Sequence, residues 1–382
     1  MKVARRSDVA PFIVMDVMRA ADERAAAGGD VLHLEVGQPS TPAPKGVLAA
    51  AHAALDDDLL GYTQAFGLLE LRQRIAQHYQ DWYGVTVDAE RVAITFGASG
   101  AFILAFLAAF DAGDRVALAA PGYPAYRNIL QALDIEVVEL PATEATGFQP
   151  TPELLATAGR LDGVIVASPA NPTGTMLSLA EYQALADWCA TNDVRLVSDE
   201  IYHGITYGGV ATTALAVSTT AIIANSFSKY FSMTGWRLGW LVLPEDLVRP
   251  VERLAQNLFI SAPTIAQRAA IAAFDCHEEC RANLSRYEAN RALLLERLPA
   301  AGFTRFAPAD GAFYLYADVS HMTDDSMAFC RQILADTGVA ITPGLDFDRA
   351  RGHHWVRFSF AGSTEDMAEA AQRLIAWRAR NR

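Results

Sequence analysis

Ala221-Ile222-Ile223-Ala224-Asn225-Ser226-Phe227-Ser228-Lys229 is an apolar run that ends in two serines and a lysine. The apolar part reads as a buried strand. A lysine at the end of such a strand, between small hydroxyl residues, is poorly placed for a solvated charge. Burial penalises the ammonium form, lowers the pKa and leaves a neutral, nucleophilic amine. Such an amine forms a Schiff base with a carbonyl compound. Ser226 and Ser228, with Arg237 just downstream, are groups that hold a phosphate beside it. The plainer alternative is a surface lysine that follows a strand.

Working outward, the chain alternates strand and helix from residue 91. The pattern predicts strands over 91–96, 115–119, 135–140, 163–167, 194–197, 221–224 and 238–243, with helices up to 110, near 125–133 and from Ser178 to Thr191. Ser178 and Glu181 form a capping-box pattern. Nearly continuous apolar strands in this alternation predict an α/β fold: a large domain with a mainly parallel sheet of about seven strands, covered by helices on both faces. Ligands of such sheets bind at the carboxyl ends of the strands. Gly97-Ala98-Ser99-Gly100, Pro121-Gly122-Tyr123-Pro124, Ser168-Pro169-Ala170-Asn171-Pro172-Thr173-Gly174 and Ser198-Asp199-Glu200-Ile201-Tyr202 all fall at such ends.

Before this region, helices are expected over 9–28, 45–55 and 68–83, with a short strand at 31–36 and a proline-rich segment from Pro39 to Pro44. After Pro263 a single long helical pattern runs to about Leu298. The tail reads as strands at 311–317, 339–341 and 356–360 with helices near 324–336 and 364–379. The expected division is an N-terminal segment, 1–45, that contributes to a smaller α+β domain formed by 275–382, and a large domain over 46–274.

Composition narrows the function. With 382 residues, 52% hydrophobic and 20% charged, the chain has material for a large core. A net charge of −13 argues against a nucleic-acid or anionic-membrane surface as its main business. Cys189, Cys276, Cys280 and Cys330 show no zinc-ligand spacing and read as thiols in a reducing compartment. No run approaches the roughly 18 apolar residues of a membrane helix, and the expectation is a cytoplasmic protein with no metal.

Residue by residue, the candidates leave alternatives open. Gly97-Ala98-Ser99-Gly100 presents free backbone N–H groups at a helix start, which suits a phosphate, yet it is neither a G-x-G-x-x-G nor a Walker loop. Asp199 ends a buried strand and calls for a cation: a protonated pyridine nitrogen, an arginine or a metal. It also fits a helix-capping role. Tyr202 follows three residues on, close enough to turn its hydroxyl into the same cleft. Asn171 fits a turn, and Tyr123 fits either a stacking face or a loop aromatic.

Together, in order and spacing, the motifs from Ser168 to Gly174, Ser198 to Tyr202, Ser226 to Lys229 and Arg237 to Gly239 resemble the class I/II pyridoxal-phosphate aminotransferases, the aspartate-aminotransferase-like fold type I. The resemblance extends from Pro11-Phe12 through Val36-Gly37-Gln38-Pro39, Tyr62 and Arg72 to Gly311-Ala312-Phe313-Tyr314-Leu315 and Val356-Arg357-Phe358. It implies pyridoxal 5′-phosphate held by Lys229 as an aldimine, with Lys229 then moving a proton in a ping-pong transfer between an L-amino acid and a 2-oxo acid. Asp199 is implied at the ring nitrogen, Asn171 and Tyr202 at the ring oxygen, and Tyr123 on the ring face. Ala98, Ser99, Ser226, Ser228 and Arg237 are implied at the phosphate, and Tyr62 at the phosphate of a second subunit in a homodimer with shared sites. Arg357 is implied at the substrate α-carboxylate, with Gly37 and Asn171. Phe12, Ile13 and Tyr207 are expected to line the side-chain pocket and to suit apolar or aromatic substrates. The same fold also serves carbon–sulfur β-lyases. A cofactor-binding regulator lacks support because no helix-turn-helix extension precedes residue 11. A dinucleotide-binding dehydrogenase is disfavoured by the missing glycine fingerprint.

Overall fold

The computed structural model describes residues 1–381. Seven strands form one sheet in the spatial order Val92–Thr95, Gly239–Val242, Ile222–Ser226, Arg195–Asp199, Gly163–Ala167, Arg115–Ala120, Glu136–Pro141. Gly239–Val242 runs antiparallel to both neighbours, and the remaining pairings are parallel. The alternation of side chains across a strand divides the core into two layers. Val164 and Val166 enter one cluster with Tyr79, Tyr182 and Trp240, whereas Ile165 enters the other with Phe102, Phe106 and Leu247. Each such aliphatic burial is worth about 1.5–3 kcal/mol, largely offset by the entropy of ordering the chain. Because both faces are covered, the central strands carry no polar alternation, which is why they read as continuous apolar runs.

Helix Gly97–Ala109 packs on one face beside Glu245–Leu258. The latter helix was not anticipated. Its signal is present in Pro244 before the first turn, Glu245 and Asp246 within it, and buried Leu247, Val251 and Ala255 at four-residue spacing. Helix Leu179–Thr191 begins with the expected reciprocal cap: Glu181 N–H donates to Ser178 Oγ at 3.3 Å, and Ser178 N–H donates to the Glu181 carboxylate at 2.8 Å.

Two expectations are corrected. The long helix after Pro263 is divided into Thr264–Ile271 and His277–Arg297, with a 3-10 turn at Ala272–Asp275 between them. The turn lets Phe274 pack edge-on to Phe227 and Phe231, a tertiary gain that helical periodicity does not reveal. The strand expected over 31–36 is confined to Leu32–His33, which pairs in parallel with Val339–Ala340. Beyond it the backbone bends away, and the carbonyls of Glu35 and Gly37 go to the side chains of Arg357 and Lys229 instead of to a ladder.

A second, antiparallel sheet has the order Thr342–Pro343, Trp355–Ser359, Tyr314–Asp318, Arg305–Phe306. Arg357 lies opposite Tyr316 and Thr342 in it. The bond from Ser359 N–H to Leu34 carbonyl, 2.7 Å, ties the N-terminal segment to this sheet. No helix is long and apolar enough to cross a membrane among the described residues.

Candidate active site

The strands Gly163–Ala167, Arg195–Asp199 and Ile222–Ser226 deliver their carboxyl ends to one edge of the large sheet. Arg237 arrives at the same edge because Gly239–Val242 is antiparallel, with Gly239 opposite both Ser226 and Thr95. A cavity of about 420 Å³ opens there. It is lined by Gly37, Ala98, Ser99, Tyr123, Asn171, Asp199, Tyr202, Ser228, Lys229, Arg237 and Arg357 among others. Eleven of the thirteen cofactor, catalytic and substrate positions read from the sequence line it. Ser226 and Tyr62 are not among the lining residues.

At one end of the cavity is the start of helix Gly97–Ala109. The first N–H groups of a helix have no carbonyl one turn behind them and carry the positive end of its dipole. Gly97 has φ +63°, and a side chain there would begin 2.8 Å from Arg237 Nη2. The guanidinium thus sits against the first turn, and only glycine leaves room for it. Arg237 Nη1 donates to Thr234 carbonyl at 2.9 Å. The serines divide the work: Ser226 Oγ is within bonding distance of Leu238 carbonyl, 3.0 Å, and of Ser228 Oγ, 2.9 Å, while Ser228 is the one that lines the cavity. The strand-end position of Ser226 aims it inward to the next backbone segment, and that was not legible from the motif.

Lys229 Nζ donates to Gly37 carbonyl at 2.6 Å and lies 5.9 Å from the centre of the Tyr202 ring. Burial, and then the positive charge of Arg357, pull its pKa down to about 8, against the opposing pull of Asp199. Asp199 is buried, with one oxygen accepting from the Tyr126 hydroxyl and the other from Ile201 N–H at 3.0 Å. Burial lifts its pKa to about 6 despite those bonds. A carboxylate so far from water calls for a cation, and no Lys or Arg hydrogen-bonds it among the described residues.

Arg357 is buried at the far side. Nη1 donates to Asn171 Oδ1 at 2.9 Å, and Nη2 to Glu35 carbonyl and to Thr342 Oγ1 at 3.3 Å. Its guanidinium is sandwiched between the rings of Tyr314 and Phe347, 4.3 and 4.7 Å from their centres. Nε is buried and has no partner among the described residues. A buried guanidinium with an unspent donor and no carboxylate against it is shaped to receive one. Tyr123 presents its ring to the cavity, edge-on to Phe12 and Tyr126, and burial pushes its hydroxyl up to about 12.

The apolar wall is formed by Phe12, Val14, Met15 and Val36. Ile13 and Tyr207, expected there, do not line the cavity of this chain. The Tyr207 hydroxyl donates to Ala312 carbonyl at 2.7 Å, which turns the ring toward Phe360. Asp346 selects the face of the N-terminal helix: its carboxylate accepts from Ile13 and Val14 N–H at 3.0 and 3.1 Å, so the next residues, Val14 and Met15, point at the site. The sequence reading missed Tyr126 and Tyr314. Tyr126 lies three residues after Tyr123 on helix Pro124–Ala132, where i and i+3 share a face. That spacing was the available signal.

A buried amine poised to lose its proton, a buried carboxylate in want of a cation and a phosphate cradle at a helix start fit pyridoxal phosphate, and the fold is the one in which aminotransferases carry it. The sequence model of the family described as aminotransferase class I and II matches residues 29–374, and the chain belongs to that family, whose members depend on pyridoxal phosphate. It is 55% identical over 98% of both chains to a valine–pyruvate aminotransferase of Mycobacterium tuberculosis. The solved structure of an aminotransferase from the same organism superposes with a TM-score of 0.98 at 54% identity, covering 100% of each chain. An aspartate aminotransferase from Thermus thermophilus superposes at 0.93 with 31% identity over 98% of this chain and 99% of that one. The chain is an aminotransferase.

Proposed function

We propose that this aminotransferase exchanges the amino group of valine, or a similar aliphatic L-amino acid, with pyruvate in a ping-pong cycle, giving alanine and the branched 2-oxo acid. The observation that carries the reading is the convergence of Lys229, Asp199 and Arg357 on one cavity with an apolar wall. Bound pyridoxal phosphate supplies an aldehyde that condenses with amines and a pyridinium ring that accepts the electron pair released at the substrate Cα. In this reading Lys229 would tether the cofactor and would carry the proton that leaves the substrate Cα. Asp199 holds the proton on the ring nitrogen. Tyr202 and Asn171 hydrogen-bond the ring oxygen, and Tyr123 covers the ring face. Ala98 and Ser99 N–H, Ser228 and Arg237 hold the phosphate, with Ser226 fixing Ser228 and the Leu238 carbonyl. Arg357 grips the α-carboxylate beside Asn171 and the Gly37 backbone.

The side-chain preference has two supports. Lys229, Arg237 and Arg357 are the Lys and Arg residues that line the cavity among the described residues, and all three have roles, so a distal carboxylate finds no further cation on this chain. The Mycobacterium tuberculosis relative carries the name valine–pyruvate aminotransferase. The test is a donor screen with pyruvate as acceptor. Valine is expected to exceed aspartate in kcat/KM by about tenfold or more, the discrimination that an apolar pocket provides. Aspartate as the preferred donor would sink the assignment. Release of pyruvate and ammonia from cysteine-type substrates without an acceptor would indicate β-elimination instead.

The same reading includes a cytoplasmic homodimer with shared sites. The large sheet lies between residues 92 and 242 and the smaller one between 305 and 359, and Leu32–His33 pairs with Val339–Ala340 of the C-terminal part, which supports the division at residues 45 and 274. An open groove of about 680 Å³, lined by Leu48, Phe96, Trp236 and Ile265, borders Thr234 and Arg237 at the phosphate end. Leu59 and Tyr62 stand beside this region 94% and 85% exposed, on a loop anchored by the bonds from Thr264 to Gly61 carbonyl and from Arg268 to Asp58, both 2.6 Å. Large apolar side chains held out by an anchored loop suit a second copy of the chain. Light scattering is expected to give twice the 41.3 kDa chain mass, and Leu59→Asp with Ile265→Asp to shift it toward monomer with loss of activity. A fully active monomer would refute the shared site.

A further inference from the structure

Tyr314 has no part in the steps assigned to Lys229, Asp199 and Arg357, yet it touches Tyr202, Arg357 and the surroundings of Lys229. It is buried on strand Tyr314–Asp318. Its hydroxyl lies 2.7 Å from the Tyr202 hydroxyl. Its ring lies under the Arg357 guanidinium, 4.3 Å from the ring centre. A side chain at Gly37 would begin 1.7 Å from the Tyr314 oxygen, so this hydroxyl fills the space beside the residue whose carbonyl accepts from Lys229.

We propose that Tyr314 is a positioning residue that donates its hydroxyl proton to the Tyr202 oxygen, directing the Tyr202 proton to the cofactor ring oxygen, while its ring holds the Arg357 guanidinium flat for the substrate carboxylate. The inference rests on the cofactor reading given above. Burial raises both phenols above their ordinary range, so both stay protonated and share one hydrogen bond with one donor. If Tyr202 spends its proton on the ring oxygen, Tyr314 is the donor across the 2.7 Å contact. A donor into the Tyr202 oxygen polarises its O–H and strengthens the bond that it makes in turn. Among the described residues the Tyr314 oxygen has no other hydrogen-bond partner, which leaves it free for this one. Glycine at position 37 is then required on two counts: it admits the Tyr314 hydroxyl, and it keeps its carbonyl against Lys229.

The experiment uses the cofactor-loaded enzyme and two variants. Tyr314→Phe keeps the ring and removes the hydroxyl. Its pH midpoint for the cofactor absorbance change is expected to rise by roughly half a unit, because a weaker Tyr202 donor stabilises the anionic ring oxygen less. The kcat should fall about fivefold, the worth of one neutral hydrogen bond, with KM for the amino acid within a factor of two. Tyr314→Leu also removes the face under Arg357, and KM should rise about tenfold or more, near the upper range of a desolvated cation–π contact with its packing. A merely structural role would lower the melting temperature of both variants and leave the midpoint in place. An unmoved midpoint and kcat in the folded Phe variant, with a normal wild-type band, would overturn the proposal alone. A wild type with no cofactor band at any pH would overturn the underlying reading and the proposal with it.

Discussion

Lys229→Ala should lower turnover by about four orders of magnitude, the upper end of what one positioned acid–base group contributes, while the fold survives. The loss follows from chemistry: alanine has no amine to tether the cofactor and none to carry the proton that leaves the substrate Cα. The fold survives because Lys229 contributes little to it. Its ammonium is bonded to a single backbone carbonyl, that of Gly37, and burial already pulls its pKa down to about 8 from 10.5. A base with a lowered folded pKa binds protons more weakly in the native state, so the cofactor-free chain gains stability as the pH rises from about 8 toward 10.5. Lys229→Ala removes that dependence, and its melting temperature should be flat over the same window. Lys229→Arg keeps a cation without a titrating amine and should be as inactive as the alanine variant. Single-turnover kinetics with a saturating amino donor measure the effect. Residual turnover within tenfold of wild type would show that another group moves the proton.

Asp199→Asn should separate stability from function in the opposite sense. Asp199 is an acid whose folded pKa is raised, from 3.8 to about 6, with burial as the main cause. Such a group costs nothing below about pH 4, where it is protonated in both states. The cost grows as the pH rises through the interval and is complete above about pH 6. At neutral pH it amounts to about 3 kcal/mol. Asparagine fills the same volume without a charge, so the cofactor-free variant should melt a few degrees higher than wild type near pH 7 and show no gain at pH 4. Turnover should fall by about 10²–10³-fold, the usual size of losing one preorganised electrostatic partner. Cofactor affinity should drop with it if, as proposed, the protonated ring nitrogen is the cation that relieves the buried charge. Thermal melts with and without pyridoxal phosphate at the two pH values check both halves. A destabilised cofactor-free variant at neutral pH would mean that the hydrogen bonds from Tyr126 and Ile201 outweigh desolvation.

What was legible in the sequence was what short-range chemistry controls. The apolar runs at Gly163–Ala167 and Ile222–Ser226 declared strands covered on both faces. The polar residues that follow such strands, Asn171 and Asp199, had to meet at one edge of the sheet, and Lys229 and Arg237 with them. The Ser178–Glu181 cap is local and was equally plain. Where the structure departs from the reading, a distant contact decides. Phe274 breaks the helical run after Pro263 because Phe227 and Phe231 wait for it across the core. Tyr207 leaves the pocket because the Ala312 carbonyl takes its hydroxyl. The N-terminal helix is oriented by Asp346, more than 300 residues away in the chain.

The sequence by itself determined the sheet, the identities of the chemical groups and their meeting at one edge, because apolar periodicity and strand-end placement are properties of neighbours along the chain. Only the tertiary structure decided how those groups are tuned. Burial makes Lys229 a weaker base and Asp199 a weaker acid, and Tyr314 binds the Tyr202 hydroxyl to the Arg357 clamp across two sheets. Desolvation and hydrogen-bond direction depend on what surrounds an atom in space, and residues 202, 314 and 357 acquire those surroundings only when the chain has closed on itself.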